Sequence, residues 1–196
     1  MNCGLEGIKK ASQIIKHGGI AVFPTDTVYG IGCDPYNKDS VKKIYGIKSR
    51  DFSVPFPVLV YSTEMAEKIA LFDEFTKKIV ERFWPGQLTI ILKLTDENLR
   101  KSLNLNEKIA LRVPNHKCTL ELLKKCNFLV GTSANISGQS SFRNPKECFK
   151  SIQDYDIFVD GGTITSKAES TIIEIENETI RIVREGSLSK GEILGV

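Results

Sequence analysis

The spacing of apolar residues predicts a chain in which helices and strands alternate. Apolar positions 5, 8, 11, 14 and 15 recur at helical spacing, and Gly18-Gly19 marks the end of that first helix. Further helices are predicted over 38–47, 63–70, 73–83, 117–126 and 145–152. Short apolar runs predict strands over 20–23, 56–61, 88–94, 109–113, 128–130, 156–159, 171–175 and 180–184.

The order of these elements predicts one α/β domain that spans residues 1–196. The last two strands are expected to pair as a hairpin through Glu176-Asn177-Glu178. The sequence contains no internal repeat, linker or low-complexity tract that would divide the chain. We therefore expect a mixed, twisted open sheet with flanking helices, while the strand order stays open.

Composition and charge narrow the class of protein. The chain has 196 residues, of which 41% are hydrophobic and 26% charged, as in ordinary globular proteins. No apolar run approaches the ~20 residues of a membrane span, and the first residues lack a signal-peptide pattern. We therefore expect a soluble, cytoplasmic protein. A net charge of +3 argues against a dedicated nucleic-acid-binding domain but allows a local anion site.

The cysteine pattern predicts neither disulfide bonds nor a metal site. The five cysteines are scattered and form no C-x-x-C pair. A chain of this length does not depend on disulfide bonds, so free and mostly buried thiols are expected. Only His17 and His116 could add imidazole ligands, which makes a Cys/His zinc site unexpected.

Polar side chains are concentrated directly after the first predicted strand. Residues 23–30 read Phe-Pro-Thr-Asp-Thr-Val-Tyr-Gly. Open α/β sheets bind ligands at the carboxyl ends of their strands, so this loop is a candidate binding site. A polar turn capped by Asp26 explains the same residues equally well. The loop alone does not decide between these interpretations.

Two cations stand at the end of the second predicted helix. Lys48 and Arg50 could hold a triphosphate, or they could simply balance the partial negative charge of the helix end. The sequence has no Walker motif, and the Gly-x-Gly at 30–32 lacks a third glycine. Nucleotide binding would therefore require an unfamiliar site.

Three later segments place polar groups at strand ends. Ser133-Ala134-Asn135 follows the strand at 128–130, Ser170-Thr171 begins a strand, and Arg184 ends the next. Each also has an ordinary structural interpretation, such as a cap or an exposed arginine. No Ser/His/Asp or Cys/His set is apparent, so the catalytic residue stays unknown. An enzyme with these groups would position reactants and neutralise phosphate charge.

Taken in order, these segments resemble the YrdC family. Each motif is weak by itself, but eight of them occur in the family's order from about residue 8 to residue 190. They are Pro24-Thr25-Asp26-Thr27-Val28-Tyr29-Gly30, Gly32-Cys33-Asp34, Lys48-x-Arg50, Trp84-Pro85-Gly86-Gln87-Leu88-Thr89, Leu111-Arg112-Val113-Pro114, Ser133-Ala134-Asn135-x-Ser137-Gly138, Ser170-Thr171-Ile172 and Arg184-x-Gly186.

The resemblance implies a fold and an activity. The family fold is a single-domain α/β twisted open sheet with a concave basic surface. TsaC-type threonylcarbamoyl-adenylate synthases of this family condense L-threonine, bicarbonate and ATP into threonylcarbamoyl-AMP and pyrophosphate. The product is passed to a downstream threonylcarbamoyl transferase complex that modifies adenosine in tRNA. Mg²⁺ would arrive with ATP, and no protein-bound metal is implied.

The resemblance also implies roles for nine residues. By position in the motifs, L-threonine contacts are expected at Thr27, Arg112 and Ser170. A strand-end arginine suits the substrate carboxylate, and hydroxyls suit its polar groups. Contacts with ATP are expected at Lys48, Arg50, Ser133, Asn135, Ser141 and Arg184. No residue is implied as the base that deprotonates the substrate amine.

The chain departs from the family pattern at three positions. Asp51 stands where many relatives have proline, Leu59 where many have a histidine that touches threonine, and Lys108 where many have threonine. These departures keep open a YciO-like, non-catalytic module that binds tRNA or double-stranded RNA. A carbamoyl-adenylate domain of hydrogenase maturation proteins is the third alternative, although those chains carry further modules.

Overall fold

The computed structural model describes residues 1–195, which form two β-sheets with helices packed around them. These residues contain eight helices: α1 (Leu5–Lys16), α2 (Lys38–Lys48), α3 (Thr63–Glu67), α4 (Glu74–Phe83), α5 (Glu97–Ser102), α6 (Lys117–Cys126), α7 (Pro145–Ser151) and α8 (Lys190–Leu194). They contain ten strands: β1 (Ala21–Pro24), β2 (Tyr29–Gly32), β3 (Val58–Val60), β4 (Leu88–Lys93), β5 (Lys108–Arg112), β6 (Phe128–Val130), β7 (Thr132–Ser133), β8 (Ile157–Phe158), β9 (Thr171–Glu176) and β10 (Thr179–Arg184).

Both sheets are mixed. The larger has the order β10-β9-β4-β5-β3-β6, with parallel pairs β4–β9 and β3–β5 among antiparallel neighbours. The smaller has the order β7-β2-β1-β8, in which only β1–β8 is parallel. The predicted mixed α/β architecture is confirmed, but the expectation of one sheet is wrong. After β1 the chain reverses direction and forms β2. These two strands belong to a separate sheet instead of joining the larger one.

The second strand replaces part of the predicted polar loop. β2 pairs with β1 in antiparallel register, from Ala21 opposite Gly32 to Pro24 opposite Tyr29. Gly30 and Gly32 gave this segment the composition of a loop. Gly32 is required by close approach, because a Cβ on it would lie 1.8 Å from the backbone oxygen of Val130. The polar segment 25–28 is thereby the tip of a β-hairpin.

The long amphipathic helices lie close to their predicted bounds. The carboxamide of Asn37 caps α2 by accepting a hydrogen bond from the Ser40 amide at 3.1 Å. Gly18 follows α1 with a positive φ of 83°, a conformation that suits glycine. Helices α5 and α8, which are only six and five residues long, were not predicted. Such short segments carry too few apolar positions to show a helical period.

Two layers of apolar side chains hold the strands in place. Helices α1 and α6 pack together over Phe23, Leu59 and Leu129, and so cover one side of β1, β3 and β6. The larger cluster includes Ile44 of α2, Ile90 of β4 and many other fully buried residues. Because β1, β3, β4 and β5 are anchored in this way, the residues at their ends have fixed positions.

The N-terminal segment is tied to the body of the protein. The Met1 ammonium donates to the backbone oxygen of Phe158 at 2.7 Å. Asn2 forms an isolated parallel β-bridge with Asp160. Cys3 and Cys118 form a disulfide with a Cα–Cα distance of 5.7 Å, so the expectation of five free thiols is wrong. Spacing could not reveal this pair, because 115 positions separate the two cysteines. Cys33, Cys126 and Cys148 are free.

None of the helices within residues 1–195 is long and apolar enough to cross a membrane. These residues also contain no group of three or more His, Cys, Asp or Glu side chains placed to hold a metal ion.

Candidate functional site

A cavity of about 350 Å³ lies where the two sheets meet. Its wall is formed by the hairpin tip at 25–28, the loop that follows α2, and residues of β3, β4, β5, β7, β9 and β10. Six of the nine predicted contact residues line it: Thr27, Arg50, Arg112, Ser133, Ser170 and Arg184. A larger, open depression of about 900 Å³ contains none of the nine.

The hairpin tip is held rigid by its own hydroxyl groups. Thr25 Oγ1 donates to the Val28 oxygen at 2.7 Å and accepts from the amides of Thr27 and Val28, both at 3.2 Å. The hydroxyls of Thr25 and Thr27 are 3.0 Å apart. A residue outside the hairpin also holds the tip, since Gln87 Nε2 donates to the backbone oxygen of Asp26 at 3.1 Å. Local hydrogen bonds of this kind are the reason that Thr and Asp are favoured in turns.

Arg112, which is buried at the end of β5, is bound to this tip. Its Nη2 donates to Asp26 Oδ1 at 2.5 Å, its Nη1 to Thr27 Oγ1 at 3.0 Å, and its Nε to the Gly86 oxygen at 2.9 Å. Burial lowers the pKa of Arg112, and the charge of Asp26 opposes that shift. Three of the five guanidinium N–H groups are thus used, which leaves one on each terminal nitrogen. Asp26 has more than the turn-shaping role considered from the sequence, because it neutralises Arg112.

Lys48 lies behind the cavity wall and does not line it. Its side chain is 1% exposed, and its Nζ donates to Asn135 O at 2.7 Å, to Asn135 Oδ1 at 3.1 Å and to the Ser133 oxygen. Burial, with a smaller contribution from Arg50, lowers the pKa of Lys48 to about 8. Lys48 therefore organises the turn that carries Ser133 and Asn135, and the predicted contact with phosphate stays a prediction.

Arg50 is held from one side and open on the other. Its Nε donates to the Val54 oxygen at 2.9 Å, and its guanidinium carbon lies 5.2 Å from the centre of the Phe56 ring. Phe56 in turn packs on Tyr45, with ring centroids 4.1 Å apart. This aromatic support fixes the plane of the guanidinium. Its Nη1 makes no hydrogen bond with any described residue and is available to an anion.

The opposite wall pairs Arg184 with Glu169 and Ser170. Arg184 Nη2 donates to the Ser170 backbone oxygen at 2.8 Å, and its Nη1 forms an ion pair with the Glu169 carboxylate. The Ser170 hydroxyl lies 2.9 Å from Thr89 Oγ1. Ser170 and Arg184 come together because β9 and β10 are neighbours, with Arg184 opposite Ile172.

Three predicted residues do not line the cavity. Lys48 and Asn135 lie beneath its wall, whereas Ser141 is half-buried in the loop before α7. Lys108 lies in the larger depression, where its Nζ pairs with Glu174 at 2.7 Å and Glu176 at 3.0 Å.

Sequence reasoning missed Glu169 and Thr89, and it identified Leu59 only as a departure from the family pattern. All three line the cavity. Glu169 directly precedes the predicted contact Ser170, and Thr89 closes the Trp84–Thr89 motif. Adjacency to a motif was the only available signal, because neither residue type indicates a site by itself.

The sequence of this chain is similar to that of a known protein family. The family model Sua5_yciO_yrdC, described as "Telomere recombination", matches residues 13–186. The threonylcarbamoyl-AMP synthase of Bacillus subtilis is 32% identical over 196 residues, covering 96% of this chain and 56% of that protein. The threonylcarbamoyl-AMP synthase of Hydrogenovibrio crunogenus is 30% identical over 183 residues, covering 91% of this chain and 98% of that protein.

Solved structures agree with the sequence comparison. Sua5 of P. abyssi, solved in complex with L-threonine, superposes with a TM-score of 0.90 at 30% identity. The match covers 96% of this chain but only 56% of the Sua5 chain. YciO of E. coli superposes with a TM-score of 0.86 at 25% identity, covering 95% of this chain and 91% of YciO. The predicted family is confirmed, and the chain belongs to the Sua5/YciO/YrdC family.

Proposed function

We propose that this protein is an L-threonylcarbamoyladenylate synthase. In this reaction L-threonine, bicarbonate and ATP are condensed to threonylcarbamoyl-AMP and pyrophosphate, which makes the protein a nucleotidyltransferase. One observation carries the proposal: a single cavity has an end suited to an amino acid and an end suited to phosphates. The relatives named threonylcarbamoyl-AMP synthase and the Sua5 complex with L-threonine support it.

The amino-acid end is formed by Arg112, Thr27 and Ser170. Arg112 retains one free N–H on each terminal nitrogen, so both nitrogens can still donate to a substrate carboxylate. The hydroxyls of Thr27 and Ser170 supply partners for the hydroxyl and amine of threonine. Leu59, 3% exposed, adds an apolar wall that suits the substrate's methyl group.

The phosphate end is formed by Arg50, Arg184 and Ser133. Two arginines on opposite walls can neutralise charge that develops on a transferring phosphoryl group. Mg²⁺ arrives with ATP as part of the substrate. Lys48 and Asn135 act on the nucleotide through the turn that carries Ser133. A contact from Ser141 would require the loop before α7 to move toward the cavity.

The reaction joins the two ends in two displacements. The threonine amine first attacks the carbon of bicarbonate, and water leaves as the carbamate forms. A carbamate oxygen then attacks the α-phosphorus of ATP, and pyrophosphate is the leaving group. The protein's own contribution is to place the carboxylate-bound threonine beside the phosphates and to stabilise their charge.

The product is an activated carbamoyl group that needs an acceptor. It is passed to a downstream threonylcarbamoyl transferase complex, which modifies adenosine in tRNA in the cytoplasm. A non-catalytic module for tRNA or double-stranded RNA is less favoured. Shape-reading RNA binders present exposed, unpaired cations to phosphates, whereas Arg112 is buried against Asp26 and Arg184 is paired with Glu169.

Calorimetric titration tests the proposal at the level of binding. L-threonine is titrated into the protein with and without ATP, and L-serine serves as the matched ligand that lacks the methyl group. Threonine should bind more tightly than serine, by roughly 1 kcal/mol for one buried methyl group. Equal binding of the two amino acids, or binding of neither, would contradict the proposed substrate.

A further inference from the structure

Glu169 is the one carboxylate among the residues that line the cavity. Its backbone is fixed, because its oxygen accepts hydrogen bonds from the Ser187 amide at 2.8 Å and from Ser187 Oγ at 3.0 Å. Its neighbour along the chain is Ser170, which stands at the amino-acid end. Glu169 therefore connects the amino-acid end, through Ser170, with the phosphate end, through Arg184.

This carboxylate contributes negative charge to several cations of the site. It forms the ion pair with Arg184, and its charge acts to raise the pKa values of Lys48, Arg50 and Arg112. Glu169 thus adds to the negative charge that acts on four cations, while Asp26 is the direct counter-charge of Arg112. Its Oε2 is engaged by Arg184, whereas its Oε1 makes no hydrogen bond within residues 1–195. The side chain is 30% exposed, so this oxygen is accessible to a substrate.

Other basic groups near the cavity are occupied or remote. Asp26 does not line the cavity: its Oδ1 pairs with Arg112, and its Oδ2 is buried without a hydrogen-bond partner among the described residues. His116 does not line the cavity, its Nδ1 is buried without a partner, and burial lowers its pKa. The amine of free threonine is protonated at neutral pH and cannot attack carbon in that form. The site therefore needs a proton acceptor, and Glu169 is the group placed to serve.

We propose that Glu169 is the general base of the reaction, an inference that rests on the proposed function. Its carboxylate takes one proton from the threonine ammonium and becomes a neutral carboxyl group. The freed lone pair on nitrogen forms the bond to the carbon of bicarbonate. The C–O bond to the hydroxyl breaks, and this hydroxide leaves as water with the second proton of the amine.

The ion pair with Arg184 makes the proton transfer to Glu169 depend on the binding of ATP. Arg184 is required by the phosphates of ATP as well as by Glu169, so a bound triphosphate competes for its guanidinium. Binding of ATP releases the carboxylate toward the amine, and the base becomes active only when the adenylyl donor is present. Removal of the carboxylate should therefore leave ATP binding intact or slightly tighter.

Pyrophosphate release measured as a function of pH tests the role of Glu169. Wild-type kcat/KM for threonine should be nearly independent of pH across the neutral range. Glu169→Gln must use the small fraction of neutral threonine in solution, so its kcat/KM should rise about tenfold per pH unit. At pH 7 its kcat should be lower by about 10²–10⁴-fold, the usual contribution of a general base.

Matched variants separate this role from a structural one. Glu169→Asp keeps the carboxylate and should keep the flat pH profile at a reduced rate. Glu178→Gln makes the same charge change in the exposed turn between β9 and β10 and should behave as wild type. Thermal unfolding of each variant checks that it is folded.

The outcomes that contradict the inference are distinct. A Glu169→Gln profile with the wild-type slope, or a loss confined to the KM for ATP, overturns the role as base. A steep profile in the folded Glu169→Asp variant does the same. Wild-type protein that releases no threonine-dependent pyrophosphate overturns the proposed function itself, and the inference with it.

Discussion

Lys48 and Asn135 are linked by two hydrogen bonds across 87 positions of the chain. The ammonium group donates to the backbone oxygen at 2.7 Å and to the side-chain Oδ1 at 3.1 Å. Neither residue lines the cavity, yet together they set the turn that carries Ser133 into its wall. Two motifs that look like separate phosphate contacts in the sequence form one structural unit.

Substitution of Lys48 should loosen this turn. In Lys48→Met the oxygens of Ser133 and Asn135 lose a buried charged donor, and each such hydrogen bond is worth about 1.5–3 kcal/mol. Amide hydrogen exchange at 133–135 should become faster, and pyrophosphate release should fall at least tenfold. Lys43→Met, an exposed change on the same helix, is the control. Lost activity with unchanged exchange would instead favour a direct contact between Lys48 and phosphate.

The lowered pKa of Lys48 predicts how its contribution to stability depends on pH. The pKa is about 8 in the folded protein and 10.5 in the unfolded chain. Between these values the unfolded chain binds one more proton, so the free energy of unfolding rises with pH. Relative to Lys48→Met, the wild type should gain about 1–3 kcal/mol between pH 8 and pH 10. Urea unfolding at several pH values measures this difference, and a gap that narrows with rising pH would contradict it.

Asp26→Asn should lower both the stability of the protein and its activity. The change removes the counter-charge of the buried Arg112, and breaking a buried pair in this way costs about 3–5 kcal/mol. A drop of this size in the free energy of unfolding is expected in urea titrations. Asp154→Asn, an exposed change at a positive φ that asparagine tolerates, should cost far less. Equal stabilities of the two variants would show that Arg112 is neutralised by another group.

The disulfide between Cys3 and Cys118 should lower the number of thiols that react with a labelling reagent. Protein that is unfolded without reductant should show three reactive thiols, and reduced protein should show five. Cys3→Ser should lower the free energy of unfolding by about 2–4 kcal/mol under oxidising conditions only. In the presence of dithiothreitol the variant and the wild type should be equal. Five thiols without reductant would contradict the pairing.

Much of the architecture could be predicted from the sequence, because long amphipathic helices and apolar strands carry clear periodic signals. The helix at 117–126 was predicted at its observed bounds. The strand β2 could not be predicted, because Gly32 resembles a loop residue in the sequence, whereas the structure requires glycine there for its contact with the distant Val130. For the same reason the division into two sheets was not visible, because it depends on which distant strands pair.

The candidate site was found as a set of motifs but not as a set of contacts. Six of the nine residues named from the sequence line one cavity, which periodicity alone could not have shown. Pairing between charged groups could not be predicted from the sequence. The ion pair between Arg112 and Asp26 and the position of Glu169 were therefore missed. A cation in a motif and a cation free to bind a ligand look identical until their partners are known.

Pyrophosphate release with each substrate omitted in turn tests the central claim most directly. Release should require L-threonine, bicarbonate and ATP together, and mass spectrometry should detect threonylcarbamoyl-AMP in equal amount. Arg50→Ala should lower this release by about tenfold or more, because its guanidinium makes charge-assisted contacts with phosphate. Release of pyrophosphate without threonine, or no release with all three substrates present, would contradict the proposed synthase.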